Sequence, residues 1–236
     1  MLWYKGWFET RFKLAFSLGF MCLLLIFVHS QVSQKVQSNG LTRATLAAVL
    51  SPSPILLIVA CAWLAGAGVV TQSAFRSVKG LHGSTLFTLS LPVSRLRLLA
   101  VRAGIGWLEL AGVAAFLCTG FWLVVLPIRA TISPHELVQY FGTLLACISA
   151  FYFLSVLLST FLEDQWRIWS TMMALFVVNW LSNSHRLPAF ADLFFAMGKG
   201  SPLIIHGLPW QPMAFSLSLS ASLLIAALAV VQRREY

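Results

Sequence analysis

The chain has 236 residues, 59% hydrophobic and 10% charged, too apolar a mixture for a surface that meets water on every side. A spanning helix takes about 20 residues, so six of them consume roughly half the length and leave no room for a large soluble domain. Sixteen basic residues against seven acidic give +9, which in a membrane protein reads as an orientation signal rather than a nucleic-acid footprint. No G-x-x-x-x-G-K-[ST] phosphate loop is present, and Gly198-Lys199-Gly200 lacks both the leading Gly and the hydroxyl residue. Any ATP chemistry must therefore be carried by a partner. Cys22, Cys61, Cys118 and Cys147 are scattered through apolar stretches with no C-x-x-C, and they read as small buried hydrophobes.

The chain opens with Trp3, Trp7, Phe8 and Phe12 at helical spacing, while Lys5, Glu9 and Lys13 share another face. This pattern predicts a short amphipathic helix in the membrane interface, or an aromatic, basic flank that anchors the first span. That span, the uncharged run 14 to 30, is read as retained rather than as a cleaved signal peptide, because no A-x-A site comes after it. Pro52 and Pro54 precede the second span, 55 to 73. Between this and the third span, 103 to 127, a connection of residues 74 to 102 is longer than a bundle needs. In that loop Ser84 can cap a short helix that Pro92 ends, and Ser94 can cap the approach to the third span. Such a helix presents Leu86, Phe87 and Leu89 to water unless a partner covers them.

Glu109 is the one carboxylate well inside a predicted span. It must face the bundle interior, water or a cation. Arg102 is seven residues earlier on roughly the same face and Gln72 ends the neighbouring span, so a structural ion pair and a pathway or gating role are both open. The fourth span, 136 to 160, starts at Ser133-Pro134-His135-Glu136, a capping box with Pro at the first helical position. The fifth occupies 167 to 183, where Asn179 and Ser182 can bond across helices. The sixth occupies 213 to 231. Before it, residues 184 to 212 hold Pro188, Gly198, Gly200, Pro202, Gly207, Pro209 and Pro212 between apolar stretches too short to span, as in an external cap or hairpins that re-enter the bilayer. The histidines lie near span ends or in loops with no paired spacing, so no metal site is expected. With six spans, eleven of the 16 basic residues fall on the side of the termini. The positive-inside rule then places both termini in the cytoplasm.

Within the cytoplasmic loop, Gly83-Ser84-Thr85-Leu86 is followed by Leu91-Pro92-Val93-Ser94-Arg95 and a basic-aliphatic stretch with Arg97 and Arg102. In these residues the chain resembles the membrane subunits of type-2 ABC exporters, the type V exporter fold. The resemblance implies an all-α architecture made of one transmembrane permease domain, residues 1 to 236. That architecture has an N-terminal interfacial helix, six spans, a coupling helix between spans two and three, and an external re-entrant gate before span six. It implies that the loop docks in a cleft of a cytoplasmic ABC ATPase, present in two copies and holding ATP and Mg. A second permease copy or a related chain completes the pathway in the inner membrane, among its lipids. The chain itself then has no catalytic residue and binds no cofactor.

One departure bears on docking. Where the family commonly has acidic residues before the Gly-Ser/Thr element, this chain has Arg76, Lys79 and His82, and an acidic groove on the partner is expected to face Arg95 and Arg97. The competing class is a passive channel, carrier or assembly scaffold with no ATPase. An intramembrane enzyme finds too few convergent polar groups here.

Overall fold

The computed structural model describes residues 2–39, 55, 59, 95–124, 132–162, 164–205 and 207–233. All the regular structure in them is helical: α1 (Leu2–Asn39), α2 (Arg95–Val124), α3 (Pro134–Leu158), α4 (Asp164–Asn183), the short α5 (Leu193–Met197) and α6 (Pro202–Ile205), and α7 (Trp210–Arg233). Four stretches among them are long and apolar enough to cross a membrane: Thr10–Ser30, Leu99–Leu123, Pro134–Leu158 and Trp210–Arg233. The chain is a helical transmembrane protein. These four correspond to the predicted first, third, fourth and sixth spans. The predicted second span, 55 to 73, lies outside the described residues apart from Ile55 and Val59.

One expectation changes. The aromatic N-terminal segment is not a separate interfacial helix, because α1 is continuous from Leu2 to Asn39. No proline interrupts this stretch and Gly6 and Gly19 are isolated, so nothing in the sequence outweighs helix propagation. Residues 167 to 183 do form a helix, α4, but it is not one of the four strongly apolar stretches. Asp164, Gln165, Arg167, Ser170, Thr171, Asn179 and Ser182 dilute its hydropathy.

α3 is the hub, packed against α7, α2, α4, α5 and α6, while α1 packs on α2. Its start is the predicted capping box: Ser133 Oγ accepts from Glu136 N–H at 3.2 Å, and the Glu136 carboxylate accepts from Ser133 N–H at 2.9 Å. Two donors that a helix start would otherwise leave unpaired are thereby satisfied. The core gathers Leu144, Cys147, Ile148, Phe151 and Tyr152 of α3 with Leu110, Val113, Ala114 and Leu117 of α2, and with Met21, Leu25 and Val28 of α1.

Where lipid replaces water, apolar burial alone does not hold helices together, and close packing with hydrogen bonds does. The bonds here also fix relative directions. Trp107 Nε1 donates to Ser149 Oγ at 3.1 Å and Tyr152 Oη to Ala103 O at 2.7 Å, so α2 and α3 are antiparallel. Ser216 Oγ donates to Ala146 O at 2.8 Å, and Thr143 Oγ1 to Met213 Sδ at 3.7 Å, so α3 and α7 are parallel. Arg167 Nη1 donates to Ser155 Oγ at 3.1 Å across a short connection and ties the start of α4 to the end of α3. On α1, Thr10 bonds Glu109 while Leu25 closes on Gly120 of α2; both numbers rise together, and these two helices are parallel.

Candidate functional site

Two constructions concentrate polar groups. The first lies between α1 and α2. Glu109 is only 5% exposed, and its Oε1 accepts a hydrogen bond from Thr10 Oγ1. Lys13, one helical turn further along α1, is close enough for its ammonium to act on the carboxylate. Glu109 is thus served by α1 rather than by Arg102 of its own helix. It sits opposite Thr10, level with the start of the uncharged run of α1. Glu109 also borders a groove of about 710 Å³ lined by Trp7, Leu14 and Leu18 of α1 and by Ile105, Leu108, Gly112 and Phe116 of α2. Of the predicted interfacial residues, Trp7 joins this groove. Phe12 is 73% exposed beneath the Arg11 guanidinium, 4.9 Å from its ring centre.

The second construction is the segment between α4 and α7. Asp192 is buried and caps α5, its Oδ1 accepting from Phe195 N–H at 2.9 Å and from Ser182 Oγ at 2.6 Å. Ser182 therefore does bond beyond its own helix, as its position suggested. Asn179 instead accepts from Asn183, one turn on in α4. After α5 the chain turns tightly, with Gly200 N–H donating to Phe195 O at 2.7 Å. A Cβ at Gly200 would lie 2.6 Å from the Phe195 ring and 3.0 Å from its carbonyl oxygen, so this turn requires glycine. Phe194 meets Phe151 at 6.0 Å between ring centres, and Phe190 meets Phe215 at 5.6 Å. Phe151 is 17 residues beyond Pro134, about 25 Å along α3, and α5 packs against α3 at that level.

Of the predicted docking loop, Gly83, Ser84, Thr85, Leu86, Phe87, Leu89, Leu91, Pro92, Val93 and Ser94 lie outside the described residues. Arg95 opens α2, and Arg97 is exposed in its first turn. Sequence reasoning missed Arg167. It counts among the orientation charges, yet it has no exposure at all. The signal was available: Arg167, Thr171, Leu175, Val178 and Ser182 recur at helical spacing, while Trp166, Trp169, Met173, Phe176 and Trp180 occupy the opposite, exposed face. No group of His, Cys, Asp and Glu suited to a metal occurs among the described residues.

No family model, curated protein or solved structure matches the chain. What the fold and these sites define is a class, that of helical transmembrane proteins with a buried carboxylate between two parallel spans and a short helical pair folded against the hub helix.

Proposed function

We propose that the chain is the permease subunit of an ATP-binding-cassette exporter of the type-2 kind. In this reading it has six spans, forms the pathway with a second permease copy or a related chain, and is driven by two cytoplasmic ATPase subunits. The observation that carries the reading is the direction of the helix pairs. Parallel α1 and α2 require the chain between them to return across the membrane, and the uncharged run 55 to 73 supplies that return. Parallel α3 and α7 require another return, and α4 supplies it with 20 residues, about 30 Å of helix. Exposed Trp166 and Trp169 near its start and Trp180 near its end suit the two interfaces of a bilayer.

Six crossings leave both termini and residues 74 to 102 on one side, the side richer in Lys and Arg, hence the cytoplasm. There the Gly83 to Arg97 segment engages an ATPase that holds ATP and Mg. On the opposite side, α5 and α6 form a re-entrant gate whose irregular backbone is shielded by α3, α4 and α7. ATP binds more tightly to the closed ATPase pair, and this difference drives the permease between its inward-open and outward-open forms.

Mild solubilisation from the native membrane and mass spectrometry of co-purifying proteins test this. An ATP-binding subunit is expected in equal amount, and it should be lost from the Leu86→Asp/Phe87→Asp double variant. Absence of any ATPase, under conditions that keep other membrane complexes together, removes the reading.

A further inference from the structure

The groove between α1 and α2 has a composition that a passive seam between spans does not need. Its walls are apolar: Trp7, Leu14 and Leu18 on one side, Ile105, Leu108 and Phe116 on the other. Gly112 forms part of its floor, and a Cβ added there meets no atom within 4 Å, so the space is not taken up by the packing of the two helices. Along α1 it runs from Trp7 to Leu18, about 16 Å, the reach of a medium-length hydrocarbon chain. Into this apolar slot the fold brings a single carboxylate. Glu109 is 5% exposed, and while its Oε1 accepts from Thr10, its Oε2 has no hydrogen-bond partner. A buried carboxylate oxygen left unsatisfied is costly, and a donor that arrives with a ligand removes that cost.

We propose that this groove holds one bilayer lipid whose head carries a primary ammonium group, the ammonium donating to Glu109 and an acyl chain lying over Gly112 between Leu14, Leu18 and Phe116. Charge complementarity selects the head. Glu109 offers an acceptor to the ammonium. The level of the site agrees, because Thr10 and Lys13 immediately precede the uncharged run of α1 that starts at Leu14, where a head group meets hydrocarbon. A quaternary choline head has no N–H to donate, and a glycerol head has no positive charge. The proposal needs only the transmembrane character of the helices and stands apart from the export reading.

The test is native mass spectrometry of the purified full-length protein, titrated with phosphatidylethanolamine, phosphatidylcholine and phosphatidylglycerol of identical acyl chains. The ethanolamine lipid is expected to be retained about tenfold better than the other two, the worth of one charge-assisted hydrogen bond. Glu109→Gln should reduce it to the choline level. Gly112→Leu, which fills the slot, should reduce retention of all three, while Gly19→Ala, at an open position outside the groove, leaves retention unchanged. Melting temperature reports whether each variant is folded, and the comparison of the three lipids on the unaltered protein decides the question even if one is not. Equal retention of the three heads, preference for the glycerol head, or undiminished ethanolamine binding by a folded Glu109→Gln or Gly112→Leu protein overturns the proposal.

Discussion

Among the described residues Arg167 is the largest side chain with no exposure, and its Nη1 donates to Ser155 Oγ at 3.1 Å. Thr171, one turn further along α4, returns its hydroxyl to the Arg167 carbonyl oxygen at 2.9 Å and stays inside with it. An arginine in this position works by volume as well as charge, because its three methylenes and planar head fill the space between α3 and α4. Arg167→Ala should therefore lower stability by about 3 kcal/mol, from the emptied volume together with the lost bond. Thermal unfolding of the detergent-solubilised protein measures it, and an unchanged midpoint would show the residue to be expendable. Cysteine divides in the same way: Cys118 and Cys147 are buried as expected, but Cys22 faces outward from α1. The sequence shows that a residue is apolar or small; which side of a helix meets a neighbour depends on where the neighbour is.

Among the elements, α4 ends in a turn whose details its sequence did not disclose. His185 N–H donates to Ser182 O at 3.0 Å and Arg186 N–H to Leu181 O at 3.1 Å, the paired bonds of a Schellman motif. The residue at the left-handed position is His185, with φ of 53°, where glycine is the usual choice. His185→Gly is expected to raise stability by about 0.5 to 1 kcal/mol by relieving that conformation, read as a higher unfolding midpoint. The corner between α5 and α6 makes the opposite demand. At Gly200 an added methyl strikes the Phe195 carbonyl as well as its ring, and Gly200→Ala should cost about 1 to 3 kcal/mol. Gly142, inside α3 with nothing within 4 Å of an added methyl, should gain about 0.5 to 1 kcal/mol as Ala. Comparing the two alanine variants in one unfolding assay separates the backbone requirement of the corner from the general cost of glycine in a helix. The capping box at Ser133 was legible because all its parts are local in sequence. The cap on α5 was not, since Asp192 is made a buried acceptor by Ser182, ten residues away on another helix.

For the whole molecule, the six-crossing arrangement predicts a definite sidedness. In a variant freed of its native cysteines, single cysteines at Arg97 and Arg233 should react with a membrane-impermeant thiol reagent from one face only, and those at His135 and Arg186 from the other. All four residues are exposed at or near helix ends. Labelling of the Arg97 and His135 positions from the same face would break the topology, and with it the placement of residues 74 to 102 beside a cytoplasmic ATPase.

Composition by itself determined that this chain is helical and embedded in a membrane, since uncharged runs of this length are stable in lipid only as helices that satisfy their own backbone. It also located four strongly apolar stretches to within a few residues and fixed the start of α3. The tertiary structure alone decided which helices run parallel, because direction is recorded in contacts between distant residues such as Thr10 with Glu109 and Ala146 with Ser216. It likewise decided that Glu109 answers to α1 rather than to Arg102, and that Arg167 is core rather than surface. In both cases the reason is the same. A charge has no fixed meaning along the chain, and acquires one when packing removes it from water and chooses its neighbour.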